Sequence, residues 1–335
     1  RGDSGAAFMT AFVAGYETLC RIGAAVSPGH YVSGFHATGT IGTFGAAAAC
    51  ARLLRLDPDD TAVALGIAAT EAAGLKSMFG TMCKPLHAGR AGADGMMAAQ
   101  LAARGFTSRG DAIEAAQGFA ATHGPDFDPA AALREPVHGL HLRDNLFKYH
   151  AACYGTHAAI EAARHLRDEH GLRVRDLRRV VVHVAAASDG VCNVQEPRSG
   201  LEAKFSLRHA VAMALAGTDT GAMSSFTDAA AADASLRSVR DRVQVELHRE
   251  CASLTQAEVV VETTDGTLLR RRHDSGVPAG DLAAQRRRLE QKFRSIAGPR
   301  IGSEACDELL SLVSRLEELP DLSPLAGLLA GRPLH

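Results

Sequence analysis

A glycine-rich run that leads into a predicted helix, residues 34–45, contains His36 and Thr38, two residues suited to proton transfer and hydrogen bonding. An imidazole titrates near neutral pH, and a hydroxyl donates hydrogen bonds. The free N–H groups and positive dipole end of a helix start attract carboxylates or phosphates. The pattern therefore predicts an anion site, and the alternative is that the glycines serve helix packing while His36 only caps the helix. No predicted strand precedes the run, which excludes a dinucleotide-binding fingerprint.

A second predicted helix start brings together Lys84 and His87, which are three residues apart and can face the same side of one turn. A cation beside a helix N-terminus is unfavourable unless an anion is shared between them. The pair is therefore a stronger candidate for an anion site than either residue alone. The alternative is a surface lysine beside a packed histidine.

The remaining candidates lie where the helical texture changes, at Lys148 and His157, and in the run 202–209, which contains Lys204 and His209. Domain junctions commonly hold ligand clefts, so Lys148 is a candidate for ligand binding. For His157 the alternative is a core histidine on an apolar helix face. For the run 202–209 the alternative is a salt-bridged surface.

The composition bounds the class of protein. A chain of 335 residues with a net charge of -2 and 46% hydrophobic residues predicts a soluble globular protein of about two domains. Near-neutral charge gives no footprint for nucleic acid, and the basic run 286–288 is interpreted as a solvated helix face. The spacing of cysteine and histidine predicts reduced thiols and no metal site. No apolar stretch reaches about 18 residues and no signal peptide is visible, so we expect a cytoplasmic protein without membrane contact.

Hydrophobic periodicity predicts a mainly α fold in which a smaller α+β part interrupts an all-α part. Helices are predicted over residues 6–25, 40–55, 60–74, 85–104, 110–121, 152–170, 206–216, 226–232, 280–297 and 302–317. Strands are predicted over residues 178–184, 243–247, 257–263 and 267–272. We therefore expect an all-α domain of residues 1–145 plus 277–335, with an inserted α+β domain of residues 146–276. The many alanines predict tightly packed helices, and Asp59 or Asp60 is expected to cap the helix 60–74.

Five motifs in this order resemble those of MmgE/PrpD proteins, which include 2-methylcitrate dehydratase, cis-aconitate decarboxylase and iminodisuccinate epimerase. They are Gly15-Tyr16-Glu17, the GFHATGT run, the KPLHAGRA run, Lys148 with Thr156-His157, and the EAKFS run. Each motif alone is weak, but five in order are specific at the level of a family, and they extend over nearly the whole chain.

The resemblance implies that the α+β domain is a lid, that the active site lies in the cleft between the domains, and that the protein is a homodimer. It also implies no metal or organic cofactor. We predict catalytic roles for His36, Lys84, Lys148 and His209, and substrate-binding roles for Thr38, His87, Lys204 and His157.

The sequence departs from the family pattern in two places. His209 stands where relatives often have a Tyr, a candidate general acid or base. The ordinary pKa of a histidine is about 6.5, whereas that of a tyrosine is about 10. Relatives also carry a segment with an Asp and a His upstream of the position of Arg1. We therefore expect either that the start of this sequence is truncated or that its activity is impaired.

The functional hypothesis is that Lys84, Lys148 and two helix starts bind a small di- or tricarboxylate, while a histidine removes a proton beside a carboxylate. Dehydration, decarboxylation and epimerisation all pass through an enolate-like state, so one site can support any of them. A dehydratase-type lyase is the first expectation, and an epimerase or a decarboxylase is the alternative. A non-catalytic relative that binds a carboxylate represents the other functional class.

Overall fold

The computed structural model describes residues 2–79, 81–250 and 253–330, which form mostly helices and one four-stranded sheet. The prediction of a mainly α fold with a small α+β part is confirmed. The chain divides into two compact units, a first unit of residues 1–145 with 309–335 and a second unit of residues 146–308. The role of the α+β part as a lid stays a prediction.

Helices are found in both units and differ widely in length. The α-helices are α1 (Gly5–Val26), α2 (Gly29–Val32), α3 (Ala37–Leu54), α4 (Pro58–Glu71), α5 (Cys83–Ala102), α6 (Phe119–His123), α7 (Pro129–Leu133), α8 (His157–His170), α9 (Asp189–Cys192), α10 (Gly200–Ala203), α11 (Leu207–Leu215), α12 (Asp228–Ala232), α13 (Ala234–Arg240), α14 (Leu282–Ile301), α15 (Ser303–Ser314) and α16 (Ser323–Leu329). Short 3-10 helices cover Lys76–Met78, His141–Asp144, Tyr154–Thr156, Val174–Asp176, Ala186–Ser188, Met223–Ser225 and Leu316–Glu318.

Close approach of small residues holds the long helices of the first unit together. A Cβ added to Gly15 of α1 would lie 2.4 Å from the carbonyl oxygen of Gly45 in α3. A Cβ added to Gly95 of α5 would lie 2.5 Å from the carbonyl oxygen of Thr43 in α3. Helix α3 is thus packed tightly between α1 and α5, as the alanine-rich sequence predicted. Alanines such as Ala47 and Ala51, both fully buried, line this core.

The start of α4 corrects one predicted cap. The side chain of Asp57 accepts a hydrogen bond from the Asp60 backbone N–H, whereas Asp59 or Asp60 was expected to act as the cap. Pro58 occupies the first turn of α4, where its fixed φ suits a helix and its missing N–H costs nothing. The helix therefore begins two residues earlier than predicted.

The second unit contains the sheet, whose strands are β1 (Leu177–Ala185), β2 (Val243–His248), β3 (Gln256–Thr263) and β4 (Leu268–Asp274). Their order is β2-β1-β3-β4. Strand β2 pairs with β1 in parallel, whereas β3 is antiparallel to both β1 and β4. All four predicted strands are found, and β3 and β4 form a hairpin.

One face of this sheet packs against helices and forms the core of the second unit. Val180, Val182 and Val184 alternate along β1 and are buried with Leu166 of α8 and Met213 of α11. Burial of such apolar side chains is the main source of folding free energy. The other face of the sheet carries polar side chains such as His183 and Glu258, together with Val181 and Val260.

Two expectations about the helical regions differ from the structure. Residues 110–118 form turns rather than a helix, because Gln117 adopts a left-handed φ of 65° and α6 begins only at Phe119. Residues 277–308 group with the second unit, although they were expected with the first. The reason is that α14 contacts the second unit through Arg288, which lies 2.5 Å from Glu161 of α8.

Within the described residues, no helix is both long enough and apolar enough to cross a membrane. Among the residues that the structure describes, no cysteine forms a disulfide bond. Cys251 lies outside the described residues.

Candidate functional site

The first unit brings together three predicted site residues, His36, Lys84 and His87. His36 occupies the N-cap position of α3, where its side chain makes no capping hydrogen bond, and Lys84 and His87 lie in the first two turns of α5. The Nδ1 atoms of His36 and His87 are 2.9 Å apart, so one ring donates a hydrogen bond and the other accepts it. We call these three residues the histidine–lysine cluster. Its members come from two separate helix starts, as the sequence predicted.

The electrostatics of the cluster favour a neutral His36. Burial lowers the pKa of His36 below 6.5, and the positive charges on His87 and Lys84 lower it further. His36 is only 8% exposed, whereas His87 and Lys84 are partly exposed. A negatively charged ligand beside these groups would reverse this effect, because an opposite charge favours the protonated imidazole. The cluster is therefore suited to take up a proton when an anion binds.

Phe79 forms an apolar wall of the cluster. The His36 and Phe79 rings pack edge to face, with their centroids 4.9 Å apart. The Lys84 ammonium lies 4.5 Å from the centroid of the Phe79 ring, within the range of a cation–π interaction. Phe79 was not predicted, because a lone aromatic residue in a loop carries no distinctive sequence signal.

Backbone pairing fixes the position of His36. The His36 N–H donates to the carbonyl of Gly74, and the Lys76 N–H donates to the carbonyl of Gly34. The His30 ring is buried and forms two hydrogen bonds. Its Nε2 atom lies 2.7 Å from the Thr40 hydroxyl of α3, and its Nδ1 atom lies 2.9 Å from the His123 carbonyl oxygen. The start of α3 is thus held against the segment 74–76 on one side and a hydrogen-bonded histidine on the other.

Thr38 lies exposed in the first turn of α3, next to the buried Gly39. A Cβ on Gly39 would lie 2.4 Å from the Ala73 carbonyl oxygen and 3.2 Å from the His87 Cβ. Gly39 therefore lets the backbone at residue 73 and the His87 side chain approach α3. The glycines of the run do serve packing, as one of the alternatives stated, and this packing is what places His87 beside His36.

We expect Gly39→Ala to lower the free energy of unfolding by about 1–3 kcal/mol, because the added methyl overlaps a backbone oxygen. Gly42→Ala is the matched control. Its Cβ would meet only the Ala91 Cβ at 3.4 Å, and alanine suits a helix interior better than glycine by about 0.5–1 kcal/mol. Urea unfolding of both variants measures the difference. Equal stability of the two variants would contradict the close approach at Gly39.

The second unit contains a buried charge network that joins the start of α8 to α14. The Nε2 atom of His150 lies 2.6 Å from Glu161, and its Nδ1 lies 2.7 Å from the Thr220 hydroxyl. Arg288 reaches the same Glu161 carboxylate at 2.5 Å and stacks on Tyr149, 3.7 Å from the ring centroid. Burial raises the pKa of Glu161, but the His150 hydrogen bond and the arginine charges outweigh burial and hold the pKa below its usual range.

A cavity of about 240 Å³ lies beside this network, and basic side chains predominate among its charged lining residues. Its charged lining residues are Arg164, Arg167, Asp219, Arg288 and Lys292. The expectation that residues 286–288 form a solvated helix face is therefore wrong for Arg288, which pairs with a buried carboxylate. Sequence reasoning missed this network because its members are far apart in the chain and Glu161 lies on an otherwise ordinary helix.

The structure places Lys148 and His157 near this network. Lys148 is exposed, and its backbone carbonyl accepts a hydrogen bond from the Lys292 ammonium. His157 is buried at the first turn of α8, where burial and then the charges of His150 and Lys148 lower its pKa to about 3. The buried Nε2 of His157 has no hydrogen-bond partner among the described residues. Its surroundings are those of the core histidine that was the stated alternative, and its substrate-binding role stays a prediction.

Lys204 and His209 occupy different environments in the second unit. Lys204 follows α10, with its ammonium 3.6 Å from the Met223 sulfur and 5.9 Å from the centroid of the Phe226 ring. His209 lies in the first turn of α11, where the Ser206 side chain accepts a hydrogen bond from the His209 N–H. His209 has no exposed surface, and neither of its ring nitrogens has a partner in the described residues. The catalytic role of His209 stays a prediction.

The buried His209 predicts a loss of stability in acid. Burial, with a smaller contribution from Arg240, lowers the pKa of His209 to about 4. An unfolded chain binds the proton near pH 6.5, so the stability that this group contributes is complete above that pH and is lost as the pH falls toward 4. The total loss is about 3 kcal/mol.

We expect His209→Phe to reduce this acid sensitivity, because the ring keeps its volume and loses its unpartnered nitrogens. Urea unfolding at pH 7.5 and pH 5 measures the effect. His170→Ala, at the exposed C-terminal end of α8, is the control and should unfold like the parent protein at both pH values. An unchanged pH dependence in His209→Phe would contradict this account.

Comparison with known proteins assigns both parts of the chain to one family. The MmgE/PrpD N-terminal domain model matches residues 1–132, and the MmgE/PrpD C-terminal domain model matches residues 150–318. The histidine–lysine cluster lies within the first match, and the network around Glu161 lies within the second.

Individual relatives are similar over most of this chain. Human cis-aconitate decarboxylase is 29% identical over 309 residues, which cover 89% of this chain and 63% of the relative. Cis-aconitate decarboxylase of Aspergillus terreus is 27% identical over 352 residues, covering 97% of this chain and 71% of the relative. The mouse cis-aconitate decarboxylase is 28% identical over 89% of this chain and 62% of its own length. The chain thus spans less than two thirds of the two mammalian relatives.

Proposed function

The chain belongs to the MmgE/PrpD family, and on that premise we propose that it is a cofactor-independent enzyme that decarboxylates a small tricarboxylate resembling cis-aconitate. The observation that carries this proposal is the histidine–lysine cluster. It combines a hydrogen-bonded pair of histidines with a lysine at the starts of two long helices. Anion binding and proton transfer are the two requirements of this chemistry.

Substrate binding is assigned to Lys84 and the adjoining helix starts. Helices α3 and α5 contain 18 and 20 residues, so each has a full dipole at its start. At α5 the N–H groups of Cys83 and Lys84 already donate to Thr81, so the dipole and the Lys84 ammonium would attract an anion there. Lys84 adds a positive charge at a place where the helix dipole alone would repel it. A carboxylate of the substrate would offset this repulsion, which supports an anionic ligand at the start of α5.

Proton transfer is assigned to His36, with His87 as its hydrogen-bond partner. In decarboxylation the carbon–carbon bond to one carboxylate breaks, carbon dioxide leaves, and the electron pair remains on a carbanion-like carbon. A protonated imidazole then supplies the proton that this carbon takes up, so a tricarboxylate yields a dicarboxylate and carbon dioxide. The neutral resting His36 takes up its proton when the negatively charged substrate offsets the nearby positive charge.

The choice of decarboxylation over dehydration comes from the relatives. The sequence alone placed a dehydratase-type lyase first, with decarboxylase and epimerase as alternatives. The names of the similar proteins favour cleavage of a carbon–carbon bond. Dehydration or epimerisation of a similar substrate remains the alternative, since the same site can stabilise the enolate-like state of each reaction. A homodimeric assembly, which the family resemblance implies, and a cytoplasmic location, which the cysteine pattern favours, are further proposals.

A kinetic comparison of two lysine variants tests this assignment. We expect Lys84→Ala to raise KM for cis-aconitate about 10–100-fold, because a charge-assisted contact to a carboxylate contributes about 1.5–3 kcal/mol. Lys76→Ala is the matched control. Its ammonium donates to the Tyr31 carbonyl of α2, so KM should stay near that of the parent protein.

Two outcomes would contradict the assignment. An unchanged KM in Lys84→Ala would remove Lys84 from the binding site. Absence of cis-aconitate turnover by the native protein would overturn the proposed reaction.

A further inference from the structure

A second group of potential ligands lies on the polar face of the sheet in the second unit. His183 of β1 and Glu246 and His248 of β2 each offer one ligand atom, and these atoms all lie within 4.8 Å of one another. The His183 Nδ1 is 3.0 Å from the His248 Nε2 and 3.3 Å from a Glu246 carboxylate oxygen. None of these residues has a role in the proposed decarboxylation.

The strand register explains how the group forms. In the parallel pair of β1 and β2, His183 lies opposite Glu246, and Ala185 lies opposite His248. Residues that alternate along a strand share a face, so His183, Glu246 and His248 project to the same side of the sheet. The opposite side contains the buried valines of β1. The fold therefore places the three side chains together on two neighbouring backbones.

We propose that His183, Glu246 and His248 bind a divalent cation of the zinc class. Two histidines and one carboxylate are an established ligand set for zinc, which leaves a fourth position open. Tetrahedral zinc with ligands at about 2.0–2.1 Å separates neighbouring ligand atoms by about 3.3 Å. Two of the three separations, 3.0 Å and 3.3 Å, are already close to this size, and the third is within 4.8 Å.

A carboxylate behind one ligand supports this assignment independently. The Nδ1 atom of His248 lies 3.1 Å from a Glu250 carboxylate oxygen. A hydrogen bond donated by Nδ1 to Glu250 leaves the lone pair on Nε2, the atom that faces His183. Metal-binding histidines commonly have such a carboxylate partner, which fixes the tautomer and the ring orientation.

Space and charge around the group also suit a cation. His183, His248 and Glu250 line a cavity of about 770 Å³ together with residues of β3 and β4. Arg270 and Arg272 contribute positive charge to its lining, but Arg272 is paired with Glu258 at 3.3 Å. The carboxylates of Glu246 and Glu250 lie next to His183 and His248, respectively. The open coordination position can therefore face the cavity.

A bound cation would join the edge strand β2 to its neighbour β1. Strand β2 is the outermost strand on this side of the sheet, and its outer backbone edge has no strand partner in the described residues. A ligand that binds only the folded state raises the free energy of unfolding, and this increase grows with the logarithm of the ratio of ligand concentration to Kd. Zinc should therefore raise the unfolding temperature of the native protein by a few degrees.

Titration of the native protein with Zn²⁺ against a chromophoric chelator tests the proposal. We expect one equivalent to bind, with affinity lowered at least 100-fold in His183→Ala and in His248→Ala. Glu250→Gln should lower affinity about 10–100-fold, because it removes only the partner of a ligand. His170→Ala, an exposed histidine outside the group, is the control and should bind zinc as the parent protein does.

The unfolding temperature measured with and without zinc is a second test. Zinc should raise the unfolding temperature of the parent protein and of His170→Ala, and leave that of His248→Ala unchanged. The proposal is overturned if the parent protein binds no zinc, or if His183→Ala and His248→Ala bind it as tightly as the parent. The latter result would mean that zinc binds at another site, for instance at cysteine thiols. Neither result depends on the enzymatic reaction proposed above.

Discussion

Replacing His36 with alanine is expected to lower kcat for cis-aconitate by about 10²–10⁴, the usual contribution of a positioned general acid or base. His36 is the buried member of the histidine–lysine cluster, and its ring is fixed by His87 at 2.9 Å. In the proposed mechanism, loss of the imidazole removes the group that delivers the proton to carbon. Initial rates of substrate consumption at saturating concentration measure the effect.

The pH dependence distinguishes this role from a merely structural one. Because the pKa of His36 lies below 6.5, the protonated fraction of the free enzyme falls about tenfold for each pH unit above that value. The kcat/KM of the parent protein should fall accordingly as the pH rises from 7 to 9. The residual activity of His36→Ala should lack this slope. A His36→Ala variant with unchanged kcat would remove the residue from the mechanism, and His170→Ala serves as the control with unchanged kcat.

Replacing Glu161 with alanine is expected to lower the free energy of unfolding by about 3–5 kcal/mol, as is typical when one partner of a buried ion pair is removed. Glu161 is 5% exposed and accepts hydrogen bonds from both His150 and Arg288. Its loss leaves the buried His150 Nε2 and the Arg288 guanidinium without their shared acceptor. Urea unfolding at pH 7.5 measures the change.

A surface ion pair on the same unit provides the control. Glu290 pairs with Arg286 four residues earlier on α14, and both side chains are partly or largely exposed. Glu290→Ala should therefore cost no more than about 0.5 kcal/mol. If Glu161→Ala were as mild as Glu290→Ala, the network around Glu161 would not be the link that holds α14 to α8.

The predictions that succeeded concern local patterns. Helix 6–25 was expected and α1 covers Gly5–Val26, because apolar residues recur at helical spacing over a long stretch. The strand 178–184 was expected and β1 covers Leu177–Ala185, because its β-branched residues alternate in burial. Helix 110–121 failed, since Gln117 adopts a left-handed conformation that no propensity in the sequence signals.

The site was predictable in part for the same reason. His36, Lys84 and His87 stood out because each lies at a helix start with glycine or proline nearby, and the structure brings them together. Contacts between distant segments gave no such signal. His183 and His248 are 65 residues apart, and only the parallel register of β1 and β2 makes them neighbours.

The measurement that tests the central claim most directly is product analysis by NMR in D₂O. The native protein is incubated separately with cis-aconitate, 2-methylcitrate and iminodisuccinate, and the His36→Ala variant is run beside it. We predict that cis-aconitate is converted to carbon dioxide and a dicarboxylate carrying one deuterium at the protonated carbon, at a rate that His36→Ala lowers at least 100-fold. Conversion of none of the three compounds, or conversion at the same rate by His36→Ala, would contradict the account.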